Sequence, residues 1–247
     1  MPRALKQVAW AVWPARYQHW VIEIAMRYLP LARQIRELGY AGCVTEVGSG
    51  DLGITPYLGR VVVGVDRVFT APHELLQPVA ASALALPFAD RSRPCVLSTD
   101  MLEHVPPDLR AAAVAELIRV TRDLLILAVP AGRDAEVQDR DLDARYLARH
   151  GERYAFLVEH VDNGLPTPQE IRLLLTTELE RAGRVGEVRQ VWNTNLRLRG
   201  FLMRLWMVQT SSSKALWHLL NLAHPALSRA HGGACYRSVS TVFFSDP

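Results

Sequence analysis

An α/β fold with a parallel sheet is predicted for this chain, on three observations. Short β-branched runs alternate with helical stretches through the first half, a glycine-rich segment follows the first of these runs, and a carboxylate sits near the end of each of the first two. The 247 residues suffice for one such domain with an insertion. With 49% apolar and 21% charged residues, the composition is close to the globular average, which excludes disordered and fibrous classes.

The elements follow in order. Residues 17–38 place Trp20, Val21, Ile24, Ala25 and Tyr28 at helical spacing, with Pro30 as an expected kink. Tyr17, His19 and Trp20 fall on this helix, which is expected to cover the sheet. Residues 43–47 and 61–65 read as strands around a brief helix, forming a βαβ unit. A second alternation follows, with strands at 95–99 and 124–129 and between them a helix from about Pro107, where a missing N–H costs little and Asp108 meets the helix dipole.

Residues 134–159 and 168–182 read as helices joined by a loop over 160–166, and 238–244 as a final strand. Between them, two apolar stripes separated by Ser211, Ser212 and Ser213 indicate an extra helical block: Leu198, Phe201, Leu202, Leu205 and Trp206, then Leu216, Leu219, Leu220 and Ala223. The expected organisation is a single domain over 1–247, with an N-terminal helical cap over 1–40, a core over 41–195, a helical insertion over 196–232 and a last strand over 233–247.

Between the first strand and the brief helix lies Glu46-Val47-Gly48-Ser49-Gly50-Asp51-Leu52-Gly53. Its glycines let the backbone turn tightly and approach a ligand without an intervening Cβ. Taken alone, the Gly48-x-Gly50-x-x-Gly53 spacing also fits a dinucleotide, and Asp66 suits the ribose of either ligand. Glu46 separates the two readings. Near a diphosphate its charge would repel, whereas beside an ammonium and a sulfonium it would attract. Asp66 can accept two ribose hydroxyls in charge-assisted bonds. An isolated Asp after a strand more often caps a helix, and it is the company of Glu46 and the glycines that gives this one a ligand.

The segments 44–53, 62–66, Leu86-Pro87-Phe88-Ala89-Asp90 and 97–105 resemble, in order and spacing, the class I S-adenosyl-L-methionine-dependent methyltransferases of the small-molecule type, across roughly residues 40–132. That resemblance implies a Rossmann-like three-layer sandwich with a seven-stranded, mostly parallel sheet whose last strand is antiparallel. It also implies the methionine part of S-adenosyl-L-methionine over Glu46, Gly48, Ser49, Gly50 and Gly53, the ribose on Asp66 beside Arg67, and the adenine against Ser82, Ala83 and Leu84. Asp100 and Met101 would flank the exit of the methyl group. Two departures stand out: Ser82 replaces a commonly acidic residue, and Arg93-Pro94 replaces a Phe-Asp pair before the fourth strand.

Methyl transfer by in-line displacement needs alignment more than side-chain chemistry. If the acceptor must lose a proton, His104, His160 and Asp100 are the candidate bases. Structural readings stand beside these: His104 fixing the loop after the fourth strand, and His160 as a solvated residue of the 160–166 loop, which could form a lid. The expected acceptor is a small molecule, glycan or lipid precursor. The alternatives are an NAD-dependent oxidoreductase, disfavoured by Glu46 and by the lack of a Tyr-x-x-x-Lys pair, and a non-catalytic methyltransferase-like binding protein.

Cys43, Cys95 and Cys235 have no disulfide or metal-ligand spacing, so no metal is expected and a reducing cytoplasm fits. A formal net charge of +3 gives no global field for nucleic acid, and none is expected as a partner. The charge is uneven: residues 188–245 hold no carboxylate but contain Arg189, Arg197, Arg199, Arg204, Lys214, Arg229 and Arg237. With Trp192, Trp206 and Trp217 interleaved, this basic tail reads either as a peripheral membrane or anionic-substrate contact or as packing helices with a solvated basic face.

Overall fold

The computed structural model describes residues 22–208 and 210–245, so Tyr17, His19 and Trp20 lie outside the described residues. Seven strands form one sheet: β1 (Val44–Val47), β2 (Val62–Asp66), β3 (Leu76–Ala80), β4 (Arg93–Thr99), β5 (Thr121–Pro130), β6 (Gly186–Asn195) and β7 (Cys235–Phe244), in spatial order β3-β2-β1-β4-β5-β7-β6. The first five strands run parallel, and β7 pairs antiparallel with both β5 and β6. This is the Rossmann-like sandwich that the resemblance implied, including its reversed last strand.

Burial explains the layers. All four residues of β1 are buried, as expected for a strand covered on both faces. Along β5 the side chains alternate: Leu125, Leu127 and Val129 pack with α3 (Arg110–Val120) and α6 (Pro168–Arg181), while Leu124, Ile126 and Ala128 pack with α1 (Ile22–Glu37) and α2 (Thr55–Leu58). Helix α1 buries Ile22, Ala25, Met26, Tyr28, Leu31, Ala32 and Ile35 at the expected spacing and runs through Pro30. Its Tyr28 stacks on Tyr57 of α2, with ring centroids 5.5 Å apart.

The remaining helices gather over the carboxyl edge of the sheet. Residues 134–159 do not form one helix. Gly151, at φ 78°, ends α4 (Arg133–His150) and accepts the left-handed turn that other residues resist, and α5 (Ala155–Asn163) follows. His160 therefore sits on a helix rather than in a lid loop. Two further helices, α7 (Leu196–Val208) and α8 (Ser211–Leu222), with the short α9 (His224–Leu227), occupy the stretch between β6 and β7. The buried face of α7 is rotated from the expected stripe: Arg199, Leu202, Met203 and Met207 face inward, whereas Phe201 is half exposed. No helix among the described residues is long and apolar enough to cross a membrane.

A buried arginine joins two layers. Arg184 Nη1 donates to the carbonyls of Ile118 (2.9 Å) and Thr121 (2.7 Å), and Nη2 to that of Arg122 (3.2 Å), while the guanidinium lies 4.0 Å from the Phe244 ring centroid. These carbonyls lie at and just beyond the end of α3, where no intrahelical donor remains. Replacing Arg184 with Met keeps the stem but leaves them unpaired, and should cost about 2–4 kcal/mol in urea unfolding. An unchanged midpoint would mean that solvent satisfies these carbonyls.

Candidate functional site

The glycine loop is stitched to the end of β2. Gly48 N and Ser49 N donate to Val65 O (2.8 and 3.2 Å), and Gly50 N donates to Asp66 Oδ2 (2.8 Å), while Arg67 N donates to Oδ1 (2.7 Å). Asp66 is half-buried, and each of its oxygens retains a second lone pair for another donor. Gly50, at φ 55°, has open space where a Cβ would stand, so a ligand can lie against the backbone there. At Gly48, by contrast, a Cβ would come 2.6 Å from Met101 Cβ, so the loop after β4 closes tightly on the glycine turn.

Glu46 lies beneath this loop with none of its surface exposed. Its Oε2 accepts a 2.7 Å hydrogen bond from Ile54 N, and a Cβ on Gly53 would run into that same oxygen. Its buried Oε1 makes no full hydrogen bond among the described residues. Burial pushes the Glu46 carboxyl up to about 7, against the Ile54 N–H and the neighbouring Tyr28 hydroxyl, which favour its charged form. A buried, titratable carboxylate met by one backbone N–H and a neighbouring hydroxyl would suit a cationic ligand group better than a diphosphate.

Ser82 is used locally: its Oγ accepts from Leu84 N at 3.2 Å, and Ala83 packs against the core. Arg93, at the start of β4, donates from Nε to Thr45 Oγ1 (2.7 Å) and stacks over Phe88 at 4.6 Å, giving the Arg93-Pro94 departure a structural role.

Asp100 closes β4 in a left-handed conformation, φ 49°, that residues with a Cβ seldom adopt. It is held on both oxygens: Arg237 Nε donates to Oδ1 (2.6 Å) and Nη2 to Oδ2 (2.5 Å), and Arg27 Nε lies 3.0 Å from Oδ2. Burial would raise its pKa, yet the two guanidiniums and the Arg237 hydrogen bonds hold it well below the usual carboxylate range. A carboxylate so tightly paired is a poor proton acceptor, which argues against Asp100 as a base. Thr194, also strained at φ 65°, accepts from Arg237 Nη1 at 3.1 Å.

Above Asp100 opens a cavity of about 370 Å³, bounded by α1, α5 and α7, with Arg27, Tyr154, Phe156, Trp206 and Tyr236 in its walls. His104 and His160 line it side by side, with ring centroids 5.1 Å apart. His160 is buried, its Nδ1–H donating to Asp139 Oδ2 (2.9 Å), which also accepts from the Tyr236 hydroxyl (2.7 Å). His104 pairs through Nδ1 with Glu159, and burial, only partly offset by that bond, lowers its pKa.

Four of the seven cations of the basic tail are paired with acids. Arg199 pairs with Asp139 (2.8 Å) and Arg237 with Asp100, both inside the fold, while Arg189 pairs with Glu187 (2.6 Å) and Arg204 with Asp141 (3.2 Å). Carboxylates from distant parts of the chain thus pair with three of its positive charges, and the adjacent Glu187 with a fourth.

The sequence alone assigned no role to Glu23, Arg27, Glu103 or Asp139, and placed Arg237 only among the cations of the basic tail. Only Arg237 carries a visible signal, as the one charged residue of β7.

Among known families, the one described as "Methyltransferase domain" matches residues 45–127. No curated protein is similar to this chain in sequence. Among solved structures, the small RNA methyltransferase HEN1 is 13% identical with a TM-score of 0.53, covering 90% of this chain and 25% of that one. The [4+2]-cyclase SpnF is 12% identical with a TM-score of 0.50, covering 89% and 81%. The 1,6-didemethyltoxoflavin-N1-methyltransferase of Burkholderia thailandensis, solved with its substrate and S-adenosylhomocysteine, is 16% identical with a TM-score of 0.49, covering 98% and 88%.

The buried acid makes a measurable demand on stability. Glu46 ionises near 4.5 when unfolded and at about 7 when folded, so between those values the folded chain holds the extra proton. Its contribution to stability should fall by on the order of 3 kcal/mol as pH rises from 4.5 to 7 and stay level above. Glu46→Gln should remove this part of the slope in urea unfolding at pH 5 and pH 7.5. Identical slopes for the two proteins would show that Glu46 is already ionised in the fold.

Proposed function

We propose that this chain, a class I S-adenosyl-L-methionine-dependent methyltransferase by its fold and by the match over residues 45–127, methylates a small-molecule acceptor held in the cavity above Asp100. One observation carries the acceptor reading. Met101 packs against Gly48 of the glycine turn while its neighbour Asp100 lines the cavity, so one pair of residues forms the wall between the cradle and the acceptor space.

The residues present fit the cofactor. Gly50 leaves its backbone open, Asp66 keeps lone pairs for ribose hydroxyls, and the lone Glu46 oxygen answers a positive charge. When bound, S-adenosyl-L-methionine supplies a methyl carbon on a sulfonium that is already a good leaving group. What the chain must add is position and dryness. Proximity of this kind is worth about 7–11 kcal/mol in well-oriented reactions. Arg237 and Arg27 fix Asp100 at the wall, and Tyr154, Phe156, Trp206 and Tyr236 give the cavity aromatic surface against which an acceptor can pack. His104 and His160 turn their Nε2 atoms towards Glu103, so neither is proposed as a free base.

A partly open, aromatic-lined cavity of this size favours a small acceptor over a polymer. A glycan or lipid precursor would have to present its acceptor group as a narrow end. A nucleic-acid terminus is the competing substrate, since HEN1 shares the fold.

Asp66→Ala should weaken binding of labelled S-adenosyl-L-methionine by roughly 10- to 150-fold in equilibrium dialysis, equivalent to about 1.5–3 kcal/mol of charge-assisted bonding. Equal affinity in the two proteins would remove Asp66 from the site. With labelled cofactor and a cell extract, label should enter the low-molecular-weight fraction. Label in RNA alone would replace the small-molecule reading.

A further inference from the structure

Glu103 is fully buried, and neither of its carboxylate oxygens has a hydrogen-bond partner among the described residues. A buried acid normally has its lone pairs met, because leaving them bare costs several kcal/mol. Two imidazole nitrogens lie close to one of these oxygens: His160 Nε2 is 3.7 Å and His104 Nε2 4.0 Å from Glu103 Oε1, and one ligand atom from each of the three residues falls within 4.8 Å of the others.

The far side of each ring is fixed. His160 Nδ1 pairs with Asp139, itself anchored by Tyr236 and Arg199, and His104 Nδ1 pairs with Glu159. A carboxylate on Nδ1 holds that proton there and leaves the Nε2 lone pair directed at Glu103, which is how proteins orient histidine ligands to metals.

We propose that Glu103, His104 and His160 bind a divalent transition-metal ion at the floor of the cavity. One carboxylate and two imidazoles make a mixed oxygen and nitrogen donor set suited to zinc, manganese, iron or cobalt rather than to calcium. Metal–ligand bonds of about 2.1 Å at tetrahedral angles set ligand atoms about 3.4 Å apart, so the 3.7 and 4.0 Å separations need only small side-chain rotations. Asp100 is not a fourth ligand, because Arg237 and Arg27 occupy both its oxygens. The ion's remaining positions would then be open to a group in the cavity that His104 and His160 line. An acceptor carrying a hydroxyl would meet a Lewis acid there, and this last consequence alone rests on the methyl-transfer reading.

The test is a Co²⁺ titration of chelator-treated protein without S-adenosyl-L-methionine, followed by visible absorption, so that its failure is separate from any failure of cofactor binding. The expected result is saturable uptake of one equivalent, weakened at least 10-fold by Glu103→Gln and by His104→Ala, and unchanged by His150→Ala on the exposed end of α4. Circular dichroism checks the fold of each variant. If Glu103→Gln does not fold, the partly exposed His104 carries the comparison. Failure of Co²⁺ and Mn²⁺ to bind the unsubstituted protein, or binding undiminished in the folded variants, would overturn the proposal.

Discussion

The cradle is organised around one buried carboxylate. Glu46 ends the first strand beneath a turn whose backbone it also holds, through Ile54 N–H, and Gly53 is glycine because that oxygen fills the space of a Cβ. The arrangement gives the loop a fixed shape and leaves one oxygen unmatched in a low-dielectric setting. A positive ligand group would stabilise that state and a diphosphate would oppose it, so the loop's shape and its proposed ligand preference have a common source.

A second set of charges shapes the neighbouring wall. Asp100 sits in a strained backbone conformation that costs on the order of 1–3 kcal/mol and is offset by two guanidiniums brought from opposite ends of the chain. Arg27 comes from the helix before the sheet and Arg237 from its last strand. The wall between cradle and cavity is therefore assembled only when the whole domain has folded, which ties the geometry of the site to the integrity of the sheet.

The parts of this architecture that could be read from the sequence follow from burial. Strands β1, β2, β4 and β5 are covered on both faces and carry apolar, β-branched runs that stand out. The strands without such a signal, β3 and β6, are the two edges of the sheet: β3 contains Pro78 and is mostly exposed, and β6 alternates exposed residues with partly covered ones. The glycine turn and Asp66 were legible because their chemistry is local. The lattice of Arg27, Asp100, Asp139, Arg199 and Arg237 was not, since its partners lie up to 137 residues apart and no spacing records them. For the same reason the acid-free tail reads as uniformly basic, when three of its six arginines pair with acids from elsewhere in the chain.

A shared fold does not fix a reaction, as the likeness to a protein described as a [4+2]-cyclase illustrates, so the assignment rests on the site. Its central claim is that the buried acid at the tip of β1 selects a cationic nucleoside. The most direct measurement is calorimetry of the unsubstituted protein at pH 7.5 with S-adenosyl-L-methionine and, separately, NADH. Saturable binding of the first and none of the second is the expected result, and saturable NADH binding without any S-adenosyl-L-methionine binding would contradict the account.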